Sequence, residues 1–184
     1  NTGAITQIRA YLESGAPAVH DMEYNEYGNL IKMTRPENKE GDRLFYQYEY
    51  DPEVQTYITS INDSYGYTSG DTYDYRFGHS ILKTDINGNQ IRYGIDNSGR
   101  IIDITGPFEL EKGLPYTINF EYHPEADVPW ARTSHYDPAH PDNDLETISF
   151  VDGLKRSLQV KKDGAIFTVP NAADDEKMIV SGQV

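Results

Sequence analysis

The stretch of sequence that decides the fold is YDYRFGHSILKTDINGNQIRYGIDNSGRIIDITGP, residues 73–107. It holds two copies of one pattern: an aromatic segment, a glycine turn, an aliphatic segment and a second glycine turn. Tyr93 repeats Tyr73 after 20 residues. Residues 90–96 alternate apolar and polar side chains, which is typical of a half-buried strand. A short repeat of strand and turn patterns predicts an architecture built from repeated hairpins.

Two dipeptides predict where these hairpins turn. Asn87-Gly88 separates two apolar segments and predicts a type I′ turn, in which both residues have positive φ. Asp152-Gly153 predicts a second hairpin, and Asp163-Gly164 a further turn. We interpret the repeat glycines as structural residues that permit positive φ. These glycines are Gly28, Gly78, Gly88, Gly99 and Gly153.

The fold class that follows is all-β. Because one hairpin cannot bury its apolar face alone, we expect an antiparallel meander of consecutive hairpins that forms a twisted, curled sheet. Residues 1–169 are predicted to form this sheet, and residues 170–184 a weakly patterned tail in which residues 174–176 could open a short helix. Residues 124–144 are predicted to be a long loop, either functional or disordered.

Composition excludes several classes of function. The chain has 184 residues, with 30 acidic and 16 basic side chains and a formal net charge of −14. This charge disfavours nucleic acid and anionic membrane surfaces as partners. There is no cysteine, so there is no disulfide framework, thiol nucleophile or zinc–thiolate site. No apolar segment approaches membrane-spanning length, and we predict no membrane insertion.

Residues 84–100, TDINGNQIRYGIDNSGR, resemble the YD repeat of RHS proteins. Residues 48–63 and 150–161 are similar to the B-component and SpvB-like shell parts of insecticidal toxin complexes. The resemblance covers residues 22–162. It implies that the chain is a section of an RHS-type shell, a hollow β-sheet wall that encloses a toxic C-terminal segment.

The resemblance also implies partners and a location. The partners are the other repeats of a longer parent chain and the enclosed C-terminal toxin segment, and the location is extracellular or at the bacterial cell surface. We further expect exposed edge strands to favour self-association. RHS proteins often carry a self-cleaving aspartate motif, but Tyr136-Asp137-Pro138 lacks the Gly-Leu that should follow it. We therefore predict a structural role without catalysis.

Two other functions stay open. One is a cell-surface module that binds carbohydrate or protein. The other is a hydrolase that uses residues 135–144, where imidazoles and carboxylates are dense enough to bind a divalent ion. Their spacing fits no known ligand motif, so we predict no metal site, no cofactor and no catalytic residue. The candidate ligand-contacting residues of this loop are Trp130, His135, Asp137 and His140.

Overall fold

A computed structural model describes residues 3–11, 13, 15–166 and 175–182. These residues form fourteen β-strands and one short α-helix. The strands are β1 (Gln7–Ala10), β2 (Ala18–Tyr24), β3 (Leu30–Glu37), β4 (Arg43–Tyr50), β5 (Ile58–Asp63), β6 (Thr68–Asp74), β7 (His79–Thr84), β8 (Gln90–Ile95), β9 (Ile101–Thr105), β10 (Ile118–His123), β11 (Trp130–His135), β12 (Leu145–Val151), β13 (Ser157–Ile166) and β14 (Asp175–Gly182). The helix is α1 (Pro107–Lys112).

Strand order follows chain order from β1 to β14, and the pairings are antiparallel. The predicted all-β meander is therefore confirmed. Residue contacts divide the chain into two units, Asn1–Ile91 and Arg92–Val184. Within each unit the described strands form an open run without a closing pair, so the curled form of the sheet that we expected is not confirmed.

In the first unit the two faces of the sheet differ in polarity. Met22, Met33 and Tyr46 lie opposite one another across β2, β3 and β4, on one face. Glu23 and Lys32 lie opposite one another on the other face and form an ion pair at 3.8 Å. The sequence alternation therefore sorts apolar from polar side chains, as expected for a sheet with one drier face.

In the second unit one face carries a polar row. Asn119, Ser134 and Glu146 lie opposite one another across β10, β11 and β12. Phe120 and Thr133, one residue along, point to the other face. Polar residues are thus concentrated where three central strands meet.

Neither unit has a dry core of its own among the described residues. No hydrophobic side chain in the described part of the chain is fully buried, and the least accessible residues are Asp51 at 0%, Thr105 at 0% and Ser134 at 5% exposure. Apolar side chains instead stay half-buried along the strands. A single layer of strands shields its apolar atoms only from the side, so full burial needs a second surface.

The predicted long loop at residues 124–144 is wrong, because it contains β11 (Trp130–His135). This strand pairs along its whole length with β10 on one side and β12 on the other. Its sequence, WARTSH, carries polar side chains on both faces. Backbone pairing with two neighbours outweighs this weak pattern, which is why the alternation did not reveal the strand.

Three further features in the second half of the chain differ from what the sequence led us to expect. Asp163-Gly164 does not turn, because β13 runs through it to Ile166. Residues 175 and 176, where a short helix was one possibility, are instead the first residues of strand β14. Helix α1 was not predicted, since six residues are too few to show a helical period. No helix in the described ranges has the length and hydropathy needed to cross a membrane.

Candidate functional site

The repeat hairpins share a turn that is capped by an acidic or amide side chain. In the best-matched copy, the Asp85 N–H donates to the Asn89 carbonyl at 2.9 Å, and the Gly88 N–H donates to the Asp85 carbonyl at 3.0 Å. Asp85 Oδ1 accepts the N–H groups of Asn87 and Asn89 at 2.8 and 2.9 Å. This is a three-residue loop, a type I turn followed by one left-handed residue.

The type I′ turn that we predicted at Asn87-Gly88 is therefore wrong. Positive φ occurs at Gly88 (82°) but not at Asn87. The carboxylate of Asp85 stabilises the three-residue loop, because it accepts hydrogen bonds from the N–H groups of Asn87 and Asn89. The same four hydrogen bonds recur in six hairpins of the described residues. These hairpins begin at Asn25, Asn38, Asp63, Asp85, Asp96 and Asp152.

Four of the five repeat glycines have the positive φ that we predicted. Gly28, Gly88 and Gly99 occupy the fourth position of the capped turn with φ of 85°, 82° and 80°. Gly78 (φ 69°) ends a turn one residue longer. Gly153 differs: it stands at the second position, outside the left-handed region.

In that sixth hairpin a lysine takes the strained position. Lys155 has φ of 61° and donates its N–H to the Asp152 carbonyl at 2.9 Å. The prediction that Gly153 supplies the positive φ is therefore wrong. The Asp152 cap selects the fourth residue of the turn for the left-handed backbone, whichever residue stands there.

Two of the capping carboxylates also bind an arginine at the fifth position. The Nε of Arg100 donates to Asp96 Oδ2 at 2.7 Å, and the Nε of Arg156 donates to Asp152 Oδ2 at 2.6 Å. The backbone N–H and the guanidinium of each arginine lower the pKa of the aspartate. These carboxylates stay ionised and engaged in the turn, which leaves them unsuited to acid–base chemistry near neutral pH.

Asp51 organises the loop between β4 and β5. Its Oδ1 accepts the N–H groups of residues 53–55 at 3.1, 2.6 and 3.2 Å. Its Oδ2 accepts those of Thr56 and Tyr57, each at 2.9 Å. Burial alone would raise the pKa of Asp51, but these backbone donors outweigh it and lower the pKa to about 2.

The Asp51 loop also orients an aromatic stack. Tyr57 stacks on Tyr73 with ring centroids 4.7 Å apart, and on Tyr75 at 6.0 Å. Its hydroxyl lies 2.5 Å from where a Cβ of Gly78 would stand, so Gly78 also allows a close approach. The repeat tyrosines in this unit therefore pack against one another, which supports the structural interpretation of their spacing.

The structure does not bring the four candidate ligand residues together. Trp130 and His135 stand at opposite ends of β11. Asp137 Oδ2 and His140 Nδ1 are 2.7 Å apart in the following loop. Among the described residues, no group of three or more histidine and acidic side chains could hold a metal ion. The four residues thus do not form one cluster, and the existence of a ligand site there stays a prediction.

A polar cleft of about 460 Å³ lies beside this loop in the second unit. Its charged and aromatic walls include Tyr116, Arg132, Asp144 and Glu146. The Tyr116 hydroxyl donates to Asp144 Oδ2 at 2.6 Å, and this bond, with burial, raises the pKa of Tyr116 to about 12. Arg132 bridges Glu146 and Glu121. Asp144 and Glu146, two of the carboxylates that line the cleft, therefore already accept hydrogen bonds from donors within the chain.

Sequence reasoning missed Arg132 and its two glutamates. The pattern that could have revealed them is the alternation in β10 and β11, where Glu121 and Arg132 occupy directly opposite positions. Opposite charges that face each other on neighbouring strands stabilise a sheet, so we interpret Arg132 as a structural bridge between Glu121 and Glu146. Because β11 was predicted as loop, no face could be assigned to Arg132 from the sequence.

Comparison with known proteins gives matches at the level of structure. No protein-family model matches the chain, and no curated protein matches it. The crystal structure of TcdB2-TccC3-TEV matches with a TM-score of 0.65 over 96% of this chain at 16% sequence identity. The chain has the fold of a section of the TcdB2-TccC3 toxin chain.

Two further solved structures agree. The crystal structure of TcdB2-TccC3-Cdc42 matches with a TM-score of 0.64 over 97% of this chain at 16% identity. A Photorhabdus luminescens Tc holotoxin pore matches with a TM-score of 0.64 over 96% at 15% identity. The chain spans 13% of the length of each of these chains. The resemblance to toxin-complex shells, drawn from residues 48–63 and 150–161, is confirmed for the fold.

Proposed function

We propose that the chain is a structural section of a YD-repeat β-sheet shell in a longer protein, and that this shell encloses a toxin cargo. The observation that carries the proposal is the match over 96% of this chain to 13% of the TcdB2-TccC3-TEV chain. The match includes nearly all of this chain but only a small part of the TcdB2-TccC3-TEV chain. This is the relation expected between a section of a wall and the whole wall.

The exposed surface of the chain supports the same conclusion. The chain leaves 12945 Å² of surface accessible, whereas a compact protein of this size exposes about 9,000 Å². The excess of roughly 4,000 Å² is the size of a large permanent interface. We infer that neighbouring repeats of a parent chain cover much of it, and that the edge strands otherwise favour self-association.

The proposed cargo is inferred from one of the matched structures. One matched structure is described as TcdB2-TccC3 without a hypervariable C-terminal region. We infer by analogy that a variable C-terminal segment of the parent is the cargo here. Secretion or display at the cell surface follows from the same analogy, as does the absence of catalysis in this section. The division at residue 169 stays a prediction, since residues 167–174 lie outside the described part.

A carbohydrate- or protein-binding module is the second candidate. The polar cleft favours it, because Tyr116 and Tyr136 line the cleft and meet edge to face with ring centroids 6.2 Å apart. Trp130 does not favour it, since one face of its ring is covered by His123 at 3.9 Å. A glycan array tests this candidate: binding that is lost in Tyr136→Ala supports it, and an array without hits removes it.

Protease protection of the parent protein tests the proposed shell. We expect the C-terminal segment to resist protease while the shell is intact. Phe120→Pro should open the wall, because Phe120 lies in a strand that pairs on both sides and proline cannot donate to the ladder. Asn97→Pro is the matched control, since Asn97 stands at the turn position that proline favours. A C-terminal segment that is digested equally in all three proteins would overturn the proposal.

A further inference from the structure

His123, the last residue of β10, contacts three other side chains at the turn end of the β10–β11 hairpin. His123 lies opposite Trp130, and the two rings stack with centroids 3.9 Å apart and planes 19° apart. His123 Nε2 is 2.6 Å from Glu121 Oε1, and its Nδ1 is 3.0 Å from Glu125 Oε1. Ionised carboxylates only accept hydrogen bonds, so both ring nitrogens must carry a proton to satisfy both contacts. The geometry therefore fits the imidazolium form.

We propose that His123 is a pH-sensitive clamp, which in its protonated form ties Glu121, Glu125 and Trp130 together and which releases residues 124–129 when it loses its proton. A neutral imidazole has one N–H group and can serve only one of the two carboxylates. Glu125 is the partner that leaves more easily, because its side chain is 70% exposed against 37% for Glu121. Release of Glu125 frees the loop that joins the two strands.

The surrounding charges come from three strands, from the connecting loop and from the turn that precedes β9. Arg132 on β11 also binds Glu121, and it is tied in turn to Glu146 on β12. Phe150 on β12 lies opposite Trp130, and Lys161 Nζ on β13 stands 5.1 Å from the Phe150 ring. The loop itself adds Asp127. Arg100, which precedes β9, interacts electrostatically with Glu125. Glu121 keeps a second cation when His123 is neutral, whereas Glu125 is hydrogen-bonded to His123 and to its own backbone N–H.

The direction of the switch follows from these contacts. The hydrogen bond to Glu121 raises the pKa of His123, burial lowers it, and the bond to Glu125 raises it further, so the pKa lies above the ordinary 6.5. The bond to His123 lowers the pKa of Glu121, and the Glu125 backbone N–H together with His123 lowers the pKa of Glu125. The clamp is therefore complete below pH 6.5 and is lost as the pH rises through the raised pKa of His123.

Trp130 reports the state of the clamp directly, because it is the one tryptophan in the chain. A protonated imidazole in contact with indole quenches its fluorescence. We expect the emission of the full chain to rise with pH, with a midpoint above 6.5. His123→Gln should abolish the step, Glu125→Gln should lower its midpoint, and His79→Gln, which lies in the other unit, should leave it unchanged. A midpoint at or below 6.5, or a step that survives His123→Gln, would overturn the clamp.

Two readouts on the unsubstituted protein guard against a variant that fails to fold. The ¹⁵N shifts of the His123 ring should show both nitrogens protonated at pH 6.5. Hydrogen-exchange protection of the backbone amides of residues 125–128, corrected for the intrinsic pH dependence, should fall by about tenfold for each unit by which the midpoint exceeds 6.5. A neutral His123 ring at pH 6.5, or protection that does not change across the midpoint, contradicts the proposal.

Discussion

Two turn glycines allow a direct test of how the capped hairpins are built. A Cβ added at Gly88 or at Gly153 would meet nothing within 4 Å, so neither substitution causes a clash. Only Gly88 has a left-handed backbone, with φ of 82°. Gly88→Ala should therefore be destabilising, whereas Gly153→Ala should be neutral or slightly stabilising. The two substitutions are identical in chemistry and differ only in the backbone conformation of the turn position.

The magnitude follows from that conformation. A left-handed backbone costs a residue with a Cβ about 1–2 kcal/mol relative to glycine. The lower flexibility of alanine in the unfolded chain offsets about 0.4–1 kcal/mol of this cost. The net loss for Gly88→Ala is therefore about 1 kcal/mol, which lowers the Tm of a domain of this size by about 2–4 °C.

Lys155 gives the opposite change. Its φ of 61° carries the left-handed cost in the present sequence, so Lys155→Gly should raise the Tm by about 1–3 °C. The assay is thermal unfolding of the full chain followed by far-ultraviolet circular dichroism, with urea unfolding as a check. Equal effects of Gly88→Ala and Gly153→Ala, or a lower Tm for Lys155→Gly, would refute the assignment of the turn positions.

Two further predictions concern single side chains. Asp51→Asn keeps the acceptor for residues 53–55 but turns an amide toward the N–H groups of Thr56 and Tyr57, so hydrogen exchange at those two amides should accelerate by tenfold or more. The pKa of Asp51 is lowered from 3.8 to about 2. The stability difference between the unsubstituted protein and Asp51→Asn should therefore be complete above pH 4 and vanish as the pH falls through 2. A difference that persists at pH 1.5 contradicts this. Gly94→Ala would bring a Cβ to 1.9 Å from Asp103 Oδ2, so it should lower the free energy of unfolding by about 1–3 kcal/mol. Most of this loss should be recovered when Gly94→Ala is combined with Asp103→Ala. Additive effects of the two substitutions would contradict the contact.

The sequence was sufficient for the fold class and for the location of most hairpins. The alternation of residues 90–96 and the spacing of Gly88 and Gly99 depend on local geometry, which a sequence pattern records well. The turn type was not predictable from Asn87-Gly88 alone, because the competing acceptor is Asp85, two residues earlier. An Asp or Asn three residues before the glycine is the pattern that decides between the two geometries.

The candidate site was less predictable, for a non-local reason. Trp130 is close in sequence to His135, Asp137 and His140, but the extended strand β11 places Trp130 and His135 at its opposite ends. Arg132 and Glu146 come together only because β11 and β12 pair in a register that no local pattern shows. His123 was not singled out from its sequence context: it meets Trp130 through the pairing of β10 with β11, and its two glutamates are each two residues away along the chain.

The central claim is that this chain is part of a wall and not a free-standing domain. Electron cryomicroscopy of a longer protein that contains these 184 residues tests it most directly. The strands β1 to β14 should continue, hairpin by hairpin, into neighbouring repeats of a closed shell with polypeptide density inside. A map in which these strands stand apart from any shell, or in which the enclosed space holds no polypeptide, would contradict it.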